Sequence, residues 1–261
     1  LFKDIKFECL IVNDASTTQP PKLRKPSNFE SMELLNMREN KGHARCNAFG
    51  IRYIFKNKKF DNLILMDGDG EDRPEEIKSL LDKISESPTV SVVAKRAKRS
   101  EGELFKFLYQ AHKIITFIFT GKKINFGYFS CLTKRDVNIL IKQASLWNNY
   151  SGSVKKHLDS YNEIESIRGY RYFGPSKMTL LNLVIHSFSI ISIFKYSVFL
   201  RSTFMIIILS FLTKILGSIT LIFQILIVFF NLLIFIVSLR ENERAFLTCE
   251  QNVEDEINVL H

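Results

Sequence analysis

Two aspartates separated by one residue stand directly after a short apolar run, at Asp67 and Asp69. Residues 63–66 have the composition of a buried strand, and side chains at i and i+2 of an extended chain point to the same side. Carboxylate oxygens are the ligands that Mg²⁺ or Mn²⁺ prefers, and diphosphate oxygens can complete the shell. The pair therefore predicts a metal site for a bound phosphate. An ordinary acidic turn is the alternative, but Pro74 and Glu75, at the start of a predicted helix, favour the metal site.

A second acidic element lies upstream, in the run Asn13-Asp14-Ala15-Ser16 that follows an apolar strand. The order of strand, acid, small residue and hydroxyl would let Asp14 accept a hydrogen bond from a nucleobase N–H. A plain Asx turn is the alternative for this element taken alone.

A third element combines small and basic residues in a predicted helix over residues 42–56. Gly42, Ala48 and Gly50 would allow this helix to pack closely on a sheet, and its basic residues could approach phosphates. Taken alone, the pattern indicates helix packing.

A sheet is needed to position these residues, and the first 177 residues alternate apolar strands with helical patterns. Such alternation indicates an α/β fold with a doubly wound sheet, in which ligands bind beyond the carboxyl ends of the strands. The predicted strands cover residues 7–12, 31–37, 62–66, 89–94, 127–133 and 163–171. The predicted helices cover residues 42–56, 74–85, 101–120 and 135–143.

The chain is basic, with a net charge of +9, although 46% of its residues are hydrophobic. This combination fits anionic lipids and phosphate-bearing substrates. Nucleic acid is not an expected partner, because the sequence carries no helix-turn-helix, zinc-finger or RNA-binding signature. The four cysteines lie far apart without CxxC spacing, which argues against a zinc site or a disulfide framework.

The C-terminal third is strongly apolar. Residues 178–201 carry polar side chains every three or four positions, as expected of an amphipathic helix in the membrane interface. Residues 202–239 contain a single charge, Lys214, and a bilayer core needs about 20 apolar residues per helix. We therefore expect a transmembrane hairpin of two spans over 202–240 and a polar tail over 241–261. One long span with a second interfacial helix is the alternative.

Together, the three acidic and small-residue elements resemble the family-two glycosyltransferases of GT-A fold, and within them the dolichol-phosphate-mannose-synthase-like, polyprenyl-phosphate branch. That family carries Asp-Asp-Gly-Ser after its second strand, which residues 13–16 resemble with two departures. It carries an Asn-x-Gly…Gly helix, matched in spacing by Asn40, Gly42 and Gly50. It also carries Asp-Ala-Asp-Leu-Gln-x-Pro-Pro-Glu, which residues 67–75 resemble closely.

Downstream residues extend the resemblance towards the membrane helices. Arg96 stands where the family has a phosphate-binding arginine, and Ser130 falls at its acceptor-side loop. Arg171, Ser176 and Lys177 match an Arg-x-x-Gly-x-Ser-Lys signature, where a basic pair can neutralise a lipid phosphate. The ordinary excess of basic residues beside a membrane segment is the alternative explanation for Arg171 and Lys177.

The resemblance implies specific roles. The nucleotide sugar would be bound by Asp14, Ser16, Asn40, Gly42, Asp67 and Arg96. The acceptor phosphate would be bound by Arg96, Ser130, Arg171, Ser176 and Lys177. The metal, Mg²⁺ or Mn²⁺, would be held by Asp67, Asp69 and Glu71, where Glu71 replaces the family's usual Gln. The residues expected to be catalytic are Asp69, Arg171 and Lys177.

The resemblance also implies a fold and a reaction. Residues 1–177 would form an α/β domain of the GT-A, Rossmann-like type. The enzyme, a transferase of the hexosyl type, would move a sugar from a nucleotide-diphosphate donor to a dolichyl- or undecaprenyl-type phosphate, with metal dependence and inversion. It would be an integral membrane protein with its catalytic domain on the cytoplasmic face, in a bacterial inner membrane. A homo-oligomer is left open.

Two other functions compete with this hypothesis. A processive polysaccharide synthase would carry Gln-x-x-Arg-Trp before its membrane helices, whereas Trp147 follows Leu146 rather than an arginine. A truncated or degenerate relative could act as a non-catalytic membrane partner. The family's first strand ends in Pro-x-Tyr-Asn-Glu and has no counterpart before Phe7, and this difference favours the non-catalytic alternative. The presence of Asp67, Asp69, Arg171 and Lys177 opposes it, because sequence drift would be expected to erode them.

Overall fold

The computed structural model describes residues 5–17, 23–98, 103–172, 174 and 179–259, with the backbone alone for 96–98 and 103–106. The chain divides into two compact units. The first comprises the residues up to Lys59 together with those from Asn242 onward, and the second comprises Phe60–Glu241. The mixed α/β class and the long apolar helices near the C-terminal end, both predicted from the sequence, are confirmed.

The first unit is built on a three-stranded sheet in the order β1-β2-β7. The parallel strands β1 (Phe7–Asn13) and β2 (Phe29–Met37) are followed by helix α1 (His43–Asn57). A side chain at Gly50 of α1 would place its Cβ 3.3 Å from Cγ2 of Val12 in β1, so the small residue allows the close helix–strand packing that the sequence predicts.

The last residues of the chain complete this sheet. After the short helix α10 (Glu243–Leu247), strand β7 (Val253–Asn258) pairs antiparallel with β2. The main-chain N–H of Arg38 also donates to the carbonyl of Asn252 at 2.8 Å. The sequence predicts only a polar tail over 241–261, so this returning strand is a new feature of the fold.

The second unit contains a four-stranded sheet in the order β3-β5-β4-β6. Strand β4 runs parallel to β6, whereas β5 is antiparallel to both of its neighbours, an arrangement that alternating strands and helices alone do not predict. The strands are β3 (Asn62–Leu65), β4 (Val92–Lys98), β5 (Phe126–Thr133) and β6 (Asn162–Ile167). The helices among them are α2 (Ile77–Glu86), α3 (Glu103–Thr120), α4 (Lys134–Leu140), α5 (Ser145–Asn148) and α6 (Tyr150–His157).

One face of this sheet is covered by α2. Leu80 and Ile84 of the helix pack on Val92, Phe129 and Cys131 of the central strands. A 3₁₀ turn at Pro74–Glu76 leads into α2, with its proline at the first position as the sequence predicts. This packing fixes where β3 ends, and therefore where the loop that contains the acidic pair begins.

Three apolar helices end the second unit. They are α7 (Leu180–Ser192), α8 (Lys195–Leu216) and α9 (Ile219–Ser238). The stretch predicted as a single interfacial helix, 178–201, is divided between α7 and α8. The break is stabilised by Lys156, whose Nζ donates to the carbonyl of Ile193 at 3.0 Å. By length and composition, α8 and the helix that begins at Ile219 could each cross a membrane.

The helices α8 and α9 form a hairpin. The chain turns at Gly217, whose φ of 63° suits glycine. Polar side chains connect the two helices: Gln224 Nε2 donates to Ser210 Oγ at 2.9 Å, and Thr213 and Thr220 hydroxyls lie 2.9 Å apart. Such bonds satisfy polar groups in an apolar helix pair.

Candidate active site

In the first unit, Asp14 organises the turn that precedes α1. Its two carboxylate oxygens accept hydrogen bonds from the main-chain N–H groups of Lys41 and Gly42, each at 2.8 Å. The side-chain amide of Asn40 donates to the carbonyl of Asp14 at 2.8 Å. The structure thus brings together three residues that the resemblance assigns to nucleotide binding. Gly42 has a φ of 88°, a conformation that favours glycine.

The neighbouring Ser16 has a different environment. Its side chain is exposed, and its main-chain N–H donates to the side-chain oxygen of Asn13 at 3.1 Å. This bond to an N–H three residues on closes a local side-chain turn, related to the Asx turn that the sequence leaves open as an alternative. The side-chain amide of Asn13 also donates to Asn36 on β2 at 2.8 Å. The turn is therefore connected to both parallel strands of the sheet, β1 and β2. Each carboxylate oxygen of Asp14 accepts one main-chain hydrogen bond and keeps one lone pair for a further donor.

In the second unit, the acidic residues lie in a turn after β3 rather than in the strand itself. The main-chain N–H of Asp67 donates to the buried carboxylate of Asp72 at 2.9 Å, and that of Glu71 donates to Asp69 Oδ1 at 3.0 Å. Gly70 lies between them with a φ of 90°. These bonds define a compact acidic loop, residues 67–72.

A second segment, residues 168–172, lies directly on the acidic loop; we refer to it as the strap. The N–H of Gly169 donates to the carbonyl of Glu71 at 2.8 Å, and the N–H of Tyr172 donates to that of Asp69 at 2.9 Å. The contact is close enough that a Cβ on Gly169 would lie 2.6 Å from the carbonyl oxygen of Gly70. Only glycine fits at this position without a shift of the backbone.

The start of the strap is anchored by Glu76. Its carboxylate accepts a hydrogen bond from the Ser166 hydroxyl at 2.6 Å and another from the main-chain N–H of Ile167 at 2.9 Å. These residues form the carboxyl end of β6, so the strap leaves the sheet beside the 3₁₀ turn that follows the acidic loop. The strap is thereby held by Glu76 just before its first residue and by the acidic loop at Gly169 and Tyr172.

Two arginines of the strap pair with two of the four acidic side chains of the loop. Arg171 pairs with Asp69 at 2.9 Å between Nη2 and Oδ2, and Arg168 forms an ion pair with Glu71. Burial lowers the pKa of Arg168, while Asp69 and Asp67 favour its charged form. An arginine remains charged at neutral pH. Arg171 is predicted from the sequence, but Arg168 is not. The one sequence signal for Arg168 is that it lies three residues before Arg171.

The acidic loop offers carboxylate oxygens to a metal, but two of its carboxylates are already paired with arginines. Within the described part of the chain, no three His, Cys, Asp or Glu side chains come together in an arrangement that could hold one. The chemistry of the donors nevertheless fits an oxygen-seeking divalent cation. Asp69 and Glu71 each already bind a cation, in the form of a guanidinium group. A metal would have to replace these arginines on the same carboxylates.

The remaining predicted residues are placed elsewhere. Ser130 lies inside β5, fully buried, with its hydroxyl donating to the carbonyl of Tyr128 at 2.7 Å and lying 2.6 Å from the hydroxyl of Tyr150. This burial leaves no surface on Ser130 for an acceptor phosphate, which corrects the role implied by the resemblance. Arg96 pairs through its backbone with Ser166 in the sheet; its side chain is not among those described.

Ser176 and Lys177, the other two predicted phosphate ligands, lie outside the described residues. The description resumes at Thr179, whose hydroxyl caps α7 by accepting a hydrogen bond from the N–H of Asn182 at 3.2 Å. The strap is therefore separated from the first apolar helix by only a few residues.

The family model described as "Glycosyl transferase family 2" matches residues 3–149, which is more than half of the chain. No curated protein matches the sequence. The matched region includes the Asp14 turn and the acidic loop and ends before the strap and the apolar helices.

Proposed function

Because the chain belongs to glycosyl transferase family 2, we propose that this glycosyltransferase moves a sugar from a nucleotide-diphosphate donor to a polyprenyl phosphate in the bilayer. The carrying observation is the pairing of Asp69 with Arg171. It joins an acidic loop, suited to a donor diphosphate, to a basic strap that continues into apolar helices. An acceptor that is both anionic and lipid-linked fits this combination.

The donor would occupy the groups that the sequence assigns to it. Asp14, Asn40 and Gly42 form one preorganised turn, and Ser16 is exposed beside it. On the acidic loop, Mg²⁺ or Mn²⁺ held by Asp67 and Asp69, with Glu71, would supply Lewis-acid stabilisation of the leaving nucleotide diphosphate.

The strap would supply positive charge to the reaction. When phosphates arrive, Arg168 and Arg171 can exchange carboxylate partners for phosphate oxygens, which guanidinium groups bind with the same fork geometry. Arg96 and Lys177 would add to this charge. An acceptor phosphate is already ionised at neutral pH, so the enzyme needs no strong general base. Inversion at the sugar carbon is part of this proposal.

The membrane arrangement is also proposed. The catalytic part would lie on the cytoplasmic face of a bacterial inner membrane, with α7 in the interface and with α8 and α9 as two spans. The supporting observation is that β7, which follows α9, pairs with β2, which precedes all of the apolar helices. Two crossings return the chain to the side of the membrane on which it began.

The test is reconstitution. The purified protein in liposomes that contain a polyprenyl phosphate is given a panel of radiolabelled nucleotide sugars, with Mn²⁺ or with EDTA. We expect a lipid-extractable product with one sugar that forms only with metal. A water-soluble product of many sugar units would contradict the proposed acceptor, and full activity in EDTA would contradict the proposed metal.

A further inference from the structure

Helix α3 exposes a row of large apolar side chains in the part of the chain that the sequence assigns to a soluble domain. Between 37% and 69% of each of these side chains is exposed; they are Phe107, Ile114, Ile115, Phe117 and Ile118. Phe107, Ile114 and Ile118 are seven and four residues apart, so they lie along one stripe of the helix. Soluble monomers rarely expose contiguous apolar surface of this kind, and it usually marks a binding surface.

The other side of α3 is fixed to the apolar C-terminal helices. The ring of Phe119 lies 4.3 Å from that of Phe230 on α9, measured between centroids. Phe119 also packs against a buried cluster formed by Ile191 of α7, Val198 of α8 and Ile234 of α9. The exposed stripe is therefore held in a fixed orientation relative to the hairpin.

The C-terminal end of α3 is attached close to the start of α8. Arg201 Nη1 donates to the carbonyl of Ile118 at 3.3 Å, and the Ser197 hydroxyl donates to the carbonyl of Thr120 at 3.1 Å. These carbonyls belong to the last turn of α3, where a helix lacks its own donors and where a positive charge is favourable. The apolar stripe thus ends where the first long apolar helix begins.

Basic residues border the stripe. Lys122 and Lys123 follow α3 directly and are exposed, and Lys123 lies over the ring of Phe117 at 5.5 Å. Lys113 lies over the ring of Tyr109 at 4.9 Å. Lysines that rest their stems on apolar surface can extend their charged ends to anionic lipid head groups.

We infer that the exposed face of α3 is a lipid-contacting surface that lies in the bilayer interface. The inference rests on the proposed crossing of the membrane by α8 and α9, and its support is the continuity of the stripe with their exposed apolar surface and its border of lysines. Because α3 connects β4 to β5, this contact would hold the carboxyl end of β4, which contains Arg96, near the membrane surface. An amphipathic helix outside the C-terminal third would then position part of the site over the lipid.

The test places one fluorescent probe at three positions. Cysteines introduced by Ile118→Cys on α3, Ser85→Cys on α2 and Ile225→Cys on α9 are labelled with an environment-sensitive dye, after reconstitution in liposomes of mixed neutral and anionic lipid. All three residues are exposed, so the substitutions spare the core. Quenching by nitroxide-bearing lipids and by aqueous iodide is compared, with the labelled unsubstituted protein as background.

We expect the probe at 118 to resemble that at 225, with strong lipid quenching and at least about threefold protection from iodide relative to 85. Iodide access at 118 equal to that at 85 would overturn the inference, as would protection from iodide without lipid quenching, which would indicate a protein partner. A probe at 225 that lipids do not quench would instead overturn the proposed spans. Ile114→Cys repeats the test one turn away and should give the same result.

Discussion

Asp69 contacts both the loop that contains it and the strap that lies over it. One carboxylate oxygen accepts the N–H of Glu71 at 3.0 Å, and the other pairs with Arg171 at 2.9 Å. The main-chain carbonyl of Asp69 accepts the N–H of Tyr172 at 2.9 Å. The Asp69 side chain therefore has two roles, because it shapes the acidic loop and contributes negative charge to it. Substitutions that keep its shape but remove its charge can separate the two roles.

Asp69→Ala should reduce metal-dependent sugar transfer about a hundredfold or more. It removes a proposed ligand of the metal that would stabilise the leaving diphosphate, and loss of one group that stabilises a developing anion costs about that much in other enzymes. Transfer is measured in liposomes with Mn²⁺. Asp69→Asn keeps the oxygen that accepts the Glu71 N–H and should fail equally, which separates charge from shape. Asp82→Ala, an exposed aspartate on α2, is the matched control. Transfer by Asp69→Ala at the rate of this control would exclude the proposed site.

Arg168→Gln should strengthen Mn²⁺ binding to the donor-free protein, because the metal no longer competes with a guanidinium for Glu71. We expect roughly a tenfold lower Kd by calorimetry, which corresponds to about 1.4 kcal/mol. Lys83→Gln, which removes a surface lysine paired with Glu86, should leave the Kd unchanged. Weaker binding in Arg168→Gln would show that the arginine supports the metal site rather than competing with it.

For individual residues of the acidic loop, the sequence predicts the carboxylates better than it predicts the arginines that pair with them. Asp67 and Asp69 stand at a strand end, where local order alone indicates a site. Arg168 reaches Glu71 only because β6 carries it there from nearly a hundred residues away. The burial of Ser130 could not be predicted, because Phe129, Ser130 and Cys131 are all buried in β5, and a local sequence does not reveal that both faces of a strand are covered.

Among the elements, β7 shows how a distant segment can complete a unit. Its sequence, Val-Glu-Asp-Glu-Ile-Asn, has two apolar residues four positions apart, on one face of a strand, and three acids between them. This pattern indicates a strand only weakly. Its partner β2 lies more than 200 residues earlier, and local patterns carry no information about such pairing. The tyrosine hydroxyl of Tyr53 on α1 donates to Glu256 at 2.8 Å and adds a side-chain tie.

Phe246→Ala should loosen the C-terminal segment of the first unit. Phe246 of α10 is 1% exposed and lies against Arg52, with 5.4 Å between the guanidinium carbon and the ring centre. Truncation of such a ring costs about 3–5 kcal/mol. Its neighbour Leu247, 47% exposed, is the matched control, because Leu247→Ala leaves no cavity.

The loosening can be read at Cys249. Burial raises the pKa of this thiol to about 11, whereas a free cysteine has a pKa of about 8.5. At pH 8 local opening therefore increases the thiolate fraction roughly two-hundredfold, from about 0.001 to about 0.2. Alkylation of Cys249, mapped by mass spectrometry, should be faster in Phe246→Ala and unchanged in Leu247→Ala. Equal rates in the two variants would show that α10 does not hold the segment closed.

For helix α3 the sequence predicts the helix but not what its apolar face contacts. The apolar periodicity over 101–120 predicts a helix, and the structure contains one at Glu103–Thr120. A helix that faces a protein core and one that faces lipid have the same periodicity, because each buries one apolar face. Only the contacts of Phe119 with the apolar helices show that the stripe around Ile118 points away from the core.

For the whole molecule, the first unit restricts how the chain can cross a membrane. It combines the residues up to Lys59 with those from Asn242 onward, and both segments contribute strands to one sheet. Both segments must therefore lie on the same side, and the chain between them must cross an even number of times. With 22 and 20 residues, α8 and α9 are each about 30 Å long, enough for one crossing.

The resulting topology predicts opposite accessibility for two positions in the same hairpin. Ser218 lies at the tip between α8 and α9, and Glu243 lies just after α9 at the opposite end; both are exposed. In intact cells, a membrane-impermeant maleimide should label Ser218→Cys, whereas Glu243→Cys should react only after permeabilisation. The unsubstituted protein, with two of its four free cysteines buried, provides the background. If both variants require permeabilisation, the hairpin does not cross the membrane, and the number of crossings is zero. If Glu243→Cys alone reacts in intact cells, the sheet of the first unit, with the Asp14 turn, faces the outside, where nucleotide sugars are scarce, and the proposed donor becomes untenable.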